Sequence, residues 1–116
     1  MRLIRTETGQ LLAADLRAAR TWPARLLGLM GRAAMPGDGL LIEPADSIHT
    51  GFMRMPIDLA FLDRGGAVLR LCPAVRPWRI RLAPRGARRV LELPAGFLAR
   101  HAIQPGDRLA AEEETP

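Results

Sequence analysis

The chain has 116 residues, a formal net charge of +5 and ordinary globular proportions of hydrophobic (48%) and charged (25%) residues. A single domain of this size buries roughly two-thirds of the surface its unfolded chain exposes, so no disulfide or structural metal is needed. The one cysteine, Cys72, excludes an internal disulfide framework and suits a reducing compartment. Arg5, Glu7 and Gln10 interrupt the apolar core a signal peptide needs, and no later run reaches transmembrane length, so a cytoplasmic location is expected.

In chain order, "RLIRTE" alternates loosely up to the break at Thr8-Gly9-Gln10, and "LLAADLRAA" follows, which predicts a hairpin. "RTWPARLLGLMGR" predicts a short helix ending near Gly31, with Thr21 as N-cap and Pro23 in the first turn. Pro36, Gly37 and Gly39 mark a tight loop into a strand at "LLIEP". Ser47 to Met55 alternates with period two, placing His49, Gly51, Met53 and Met55 on one face and Ile48, Thr50 and Phe52 on the other. Pro56 ends that strand before "IDLAFLD", because proline cannot donate to a sheet ladder.

"RGG" turns the chain into a strand at "AVLRLCP". In "AVRPWRIRLAP", Trp78, Ile80 and Leu82 alternate with Arg79 and Arg81, predicting a strand with the apolar set packed and the arginines wet. "VLELPAG" leads to a helical turn over 94–101, and Pro105-Gly106-Asp107 is a turn before a frayed acidic tail. The expectation is one globular domain over 1–110, with 111–116 as that tail. It is mainly β with one or two short helices, either β-barrel-like or a curled antiparallel or mixed sheet.

The positive charge comes entirely from seventeen arginines, with no lysine and eighteen alanines. That pattern reflects compositional bias, which weakens the inference of nucleic-acid binding, and five aromatics without a tyrosine make a poor base-stacking platform. Arg76 to Arg89 holds six arginines and no acid; its alternation reads equally as the solvated side of a strand. Glu92, the one acid between Arg64 and Arg100, is expected to pair with one of these arginines.

His49 and Met53 flank Gly51, and a glycine within a strand marks a bulge or a close approach of ligand or backbone. Asp58, two residues past Pro56, lies within reach of the same end of the sheet. A histidine beside a carboxylate is a general base, a ligand clamp or a buried polar pair that orders a turn, and the structural option is the default because buried polar groups need partners. His49, Asp58, Met53 and Cys72 form a mixed metal-ligand set without ligand spacing, so no metal and no cofactor are expected. Met30, Met35, Met53 and Met55 read as flexible core filling, and Cys72 as a small buried hydrophobe. Ser47, the only serine, lacks a nucleophile turn, and no Gly-Lys-Ser/Thr follows the glycines, so no catalytic residue is assigned.

"RLLGLMGR", "GLLIEPADSIHTGFMRMPIDLAFLD", "VLELPAG" and "GDRL", in this order and spacing from about Leu12 to Leu109, resemble the family catalogued as domain of unknown function 192. The resemblance implies a compact β-rich domain with a short helix carrying "GLMGR", and no reaction. Its motif residues fall on Gly28, Leu29, Met30, Arg32, His49, Thr50, Met53, Pro56, Asp58, Glu92, Leu93 and Gly96, with Gly51 and Met55 standing where similar sequences often carry aromatics. Some similar sequences begin with a secretion signal or lipid anchor, which is not expected here.

The leading reading is a non-enzymatic ligand-binding domain with a pocket lined by His49, Met53 and Asp58, together with Arg32 and Arg54. Gly28, Met30, Gly51, Pro56, Glu92 and Gly96 are read as structural. The alternatives are a hydrolase-like or other enzyme using a His49/Asp58 acid–base pair, and a nucleic-acid or partner-binding module through Arg76 to Arg89. A small-molecule ligand is the partner this reading admits; nucleic acid is disfavoured and no membrane is expected.

Overall fold

The computed structural model describes residues 1–20, 35–43, 47–49 and 55–113, with 47–49 described through the backbone. The helix predicted at 21–31, and with it Gly28, Met30 and Arg32, lies outside these residues, as do Gly51, Met53 and Arg54.

The predicted first hairpin forms: β1 (Arg2–Arg5) and β2 (Gln10–Ala13) pair antiparallel around Gly9, whose φ of +73° suits a residue without a Cβ. "LLAADLRAA" does not stay in one strand. Its second half becomes β3 (Leu16–Ala19) and joins a different sheet, where it runs parallel to β4 (Gly39–Ile42). That sheet has five strands in the order β3, β4, β9 (Arg89–Pro94), β6 (Ile57–Leu62) and β7 (Val68–Val75), with every contact after β3–β4 antiparallel. A three-stranded sheet places β1 between β2 and β10 (Leu109–Glu112), and β5 (Ser47–His49) pairs with β8 (Ile80–Leu82) in a two-stranded ribbon. Among the described residues the sheets do not close into a barrel, and the mixed sheet is the form realised. Pairing with β1 runs on through Ala111 and Glu112 at the start of the acidic tail.

The central strands β4, β6 and β9 are buried on both faces, which accounts for near-continuous apolar runs such as "IDLAFL". On one face Leu41, Ala60, Leu62, Leu91 and Leu93 pack with Leu3, Leu12, Leu16 and Leu109 and with Phe97, Leu98 and Ile103. On the other, Leu40, Ile42, Ile57, Leu59, Phe61 and Val90 form a second cluster, against which Met35, Met55 and Cys72 are half-buried. The period of two therefore sends Asp58 to the first face and Glu92 to the second.

The segment before β10 stitches the two larger sheets together. Val68 N donates to Asp107 O at 2.8 Å, Leu109 N donates to Gly66 O at 2.9 Å, and Thr6 N donates to Arg108 O at 3.0 Å. Arg5 locks the same corner, its guanidinium donating to Asp107 Oδ2 and to His101 O, each at 2.6 Å.

Strand β8 departs from the amphipathic expectation. Ile80 and Leu82 are 68% and 70% exposed, while Arg81 between them is half-buried. The alternation was legible; which side faces the core was not, because β8 pairs with β5 and not with the five-stranded sheet that holds the core.

Candidate functional site

Asp58 is 1% exposed, and its carboxylate is occupied by backbone donors. Oδ1 accepts from Ala74 N at 2.8 Å, and Oδ2 accepts from Gly96 N at 3.1 Å and Leu98 N at 3.0 Å. The cause lies in two local irregularities. The β6–β7 register shifts between Ile57 and Leu59, giving β7 an extra residue at Pro73-Ala74, and Ala74's φ of +49° turns its N–H towards the acid. Gly96 has a φ of +93° ahead of the short helix α1 (Phe97–Arg100), whose first amides have no partner within the helix. Asp58 thus serves as a cap supplied from a distant strand. Pro56 is exposed just before β6, and His49 ends β5, opposite Ile80 in the separate ribbon.

Glu92 pairs with no arginine among the described residues. It is 4% exposed between Leu40 and Leu59 in the ladder, and its Oε2 has no hydrogen-bond partner among the described residues. Burial pushes its pKa up from 4.5 to about 7, since an apolar surrounding penalises the charged form.

A cleft of about 580 Å³ opens elsewhere, lined among the described residues by Arg20, Glu43, Arg64, Arg88 and Arg89. Strands β3, β4 and β6 point the same way, so Arg20, Glu43 and Arg64, which follow their carboxyl ends, gather at one edge. Arg88 and Arg89 join them where β9 begins. Glu43 holds the inner part: its Oε1 lies 2.8 Å from Arg20 Nε and its Oε2 lies 3.8 Å from Arg89 Nε. Arg64 and Arg88 are exposed and make no side-chain ion pair among the described residues. Four guanidiniums meet the Glu43 carboxylate here, with Glu113 Oε1 a further 3.9 Å from Arg20 Nη1, which leaves this edge a concave, electropositive surface suited to phosphate or carboxylate oxygens.

Comparison with known proteins agrees with the motif blocks: the model of the DUF192 family, described as an uncharacterised ACR, matches residues 3–111. The chain belongs to the DUF192 family. A UPF0127 protein from Pyrococcus furiosus is 31% identical over 113 residues, covering 92% of this chain and 95% of that protein. One from Thermococcus sibiricus is 32% identical over 117 residues, covering 97% and 75%. Among solved structures, a putative transcription regulator from Sinorhizobium meliloti is 28% identical with a TM-score of 0.79, covering 94% of this chain and 89% of that one. A protein of unknown function from Novosphingobium aromaticivorans has the same TM-score of 0.79 at 24% identity, covering 95% and 82%, a likeness of fold. Of the motif positions, Asp58 and Glu92 are buried and Gly96 sits in a turn with positive φ. The motif positions do not include Arg20, Glu43, Arg64, Arg88 or Arg89.

Proposed function

We propose that this DUF192 domain is a non-enzymatic binding domain for a small anionic molecule, held in the cleft of Arg20, Arg64, Arg88 and Arg89. The observation that carries this reading is the convergence of four arginines, from the ends of β3 and β6 and the start of β9, on a cavity of about 580 Å³. That volume falls in the range of metabolite-sized sites. Arg64 and Arg88 are the groups ready to receive the anion, because Arg20 and Arg89 are already oriented by Glu43. Glu43 also offers an acceptor for a ligand hydroxyl or amine, which favours a ligand with a polar donor beside its anionic group.

The pocket first expected at His49, Met53 and Asp58 is the second location for the same function. The enclosure of Asp58 by three amides favours the arginine cleft, since a ligand or substrate would have to displace those donors. The same enclosure weighs against an acid–base pair, which needs a carboxylate within reach of a substrate proton. Titrating citrate and inorganic pyrophosphate into the parent and into Arg64→Ala/Arg88→Ala tests the reading: binding is expected in the parent and about tenfold weaker for each arginine removed. Equal binding by both chains would refute it. Oligonucleotide binding in place of small anions would support the nucleic-acid alternative, to which the Sinorhizobium relative's description also points.

A further inference from the structure

The segment from the β7–β8 connection through β8 presents its large apolar side chains outward. Trp78, in the turn before β8, is 65% exposed with a φ of +65°, a conformation that a bulky residue adopts at a cost. Ile80 and Leu82 follow at 68% and 70% exposure. Three large apolar side chains within five residues form a patch that water alone disfavours. They are interleaved with charge: Arg79 Nη1 donates to Trp78 O at 3.4 Å and Arg81 Nη1 donates to Ile80 O at 3.0 Å, which keeps both guanidiniums beside the exposed apolar groups. Arg76 and Arg85 flank the patch, and no acid occurs between residues 76 and 89.

We propose that this segment docks on an anionic lipid bilayer surface, with Trp78, Ile80 and Leu82 entering the headgroup boundary and Arg76, Arg79, Arg81 and Arg85 facing lipid phosphates. This departs from the sequence expectation of no membrane partner and rests on an observation separate from the arginine cleft. Tryptophan favours the interfacial layer, and arginine stems lie along apolar surface while their heads stay with the phosphates. Charge selects this occupant over the others. A second copy would bring the same basic segment against itself, and like charges across a two-fold contact repel. A nucleic acid would stack on Trp78 but gain nothing from Ile80 and Leu82. The patch is small, so binding is reversible and depends on both its apolar and its basic halves.

The test is co-sedimentation of the full chain with phosphatidylcholine vesicles, with and without phosphatidylserine. The parent is expected to bind the phosphatidylserine vesicles, to bind phosphatidylcholine alone weakly, and to be released by salt. Ile80→Ser/Leu82→Ser should weaken binding about tenfold, and Arg79→Gln or Arg81→Gln about fivefold each. Both apolar residues are exposed, so the double variant should keep the parent's melting midpoint. If it does not, Trp78 emission in a Trp22→Phe chain supplies the second readout: a blue shift on phosphatidylserine vesicles is expected, and an unchanged spectrum would overturn the proposal. Binding that ignores phosphatidylserine, or that the double variant retains in full, would also overturn it. So would a solution dimer dissociated by the double variant in a chain that binds no vesicle.

Discussion

Asp58 Oδ2 accepts the backbone N–H of Leu98 at 3.0 Å, joining positions forty residues apart. With Gly96 and Ala74 as its other donors, this one buried carboxylate sets the start of α1 and the bulge of β7. Asp58→Ala would strand three amides in the interior and should cost about 3 kcal/mol or more, read by urea unfolding. Asp58→Asn should also destabilise, because its NH2 group would face donors. A variant that loses ligand binding at unchanged stability would contradict this capping role.

Glu92 gives stability a pH dependence of stated sign. Below pH 4.5 the folded and unfolded chains both hold its proton; from there to about pH 7 only the folded chain does, so stability falls as pH rises and levels off above that. The fall should be about 3 kcal/mol. His101 acts in the opposite sense just below pH 6.5, since burial, Arg100 and Arg5 lower its pKa. Unfolding free energies measured across this range should flatten in Glu92→Gln relative to the parent. Parallel profiles for the two chains would count against a buried, protonated Glu92.

Arg5 ties β1 to the turn before β10 through Asp107 Oδ2 and His101 O, with its side chain only 12% exposed. Removing one member of so enclosed a pair leaves the other poorly solvated. Arg5→Ala should therefore lower stability by about 2 kcal/mol, and Arg5→Lys should recover only part of it because a single ammonium cannot reproduce the two-armed contact. Thermal melts of the two variants provide the check.

Two glycines with positive φ separate backbone strain from collision. Gly9, at φ +73°, has open space where a Cβ would stand, so Gly9→Ala should cost about 1 kcal/mol. Gly66, at φ +90°, would drive a Cβ into the Leu109 carbonyl oxygen that lies where the two larger sheets are stitched together. Gly66→Ala should cost about 3 kcal/mol or more. Similar melting midpoints for the two variants would argue against that close approach.

What sequence could deliver followed from local periodicity and turn chemistry. "IDLAFL", "VLELP" and the Pro105-Gly106 turn lie where alternation and proline geometry put them, and the family blocks identified the domain. The core side of β8 was not legible, because alternation gives two faces and only the partner strand decides which is covered. Glu92 was assigned an arginine because arginines surround it in the chain; the ladder instead sets it between Leu40 and Leu59. The arginine cleft was hidden for a different reason. Arg20, Glu43, Arg64 and Arg88 are neighbours only because β3, β4 and β6 run in one direction, and that parallel β3–β4 contact had no local signal.

The most direct test of the anion-binding account is to follow the arginine Nε–H resonances of the full chain by NMR while titrating pyrophosphate and then citrate. The account predicts saturable shifts at Arg20, Arg64, Arg88 and Arg89, with Arg76, Arg79 and Arg81 unmoved at moderate salt. Shifts confined to Arg76, Arg79 and Arg81, or small shifts spread evenly over all arginines without saturation, would contradict it.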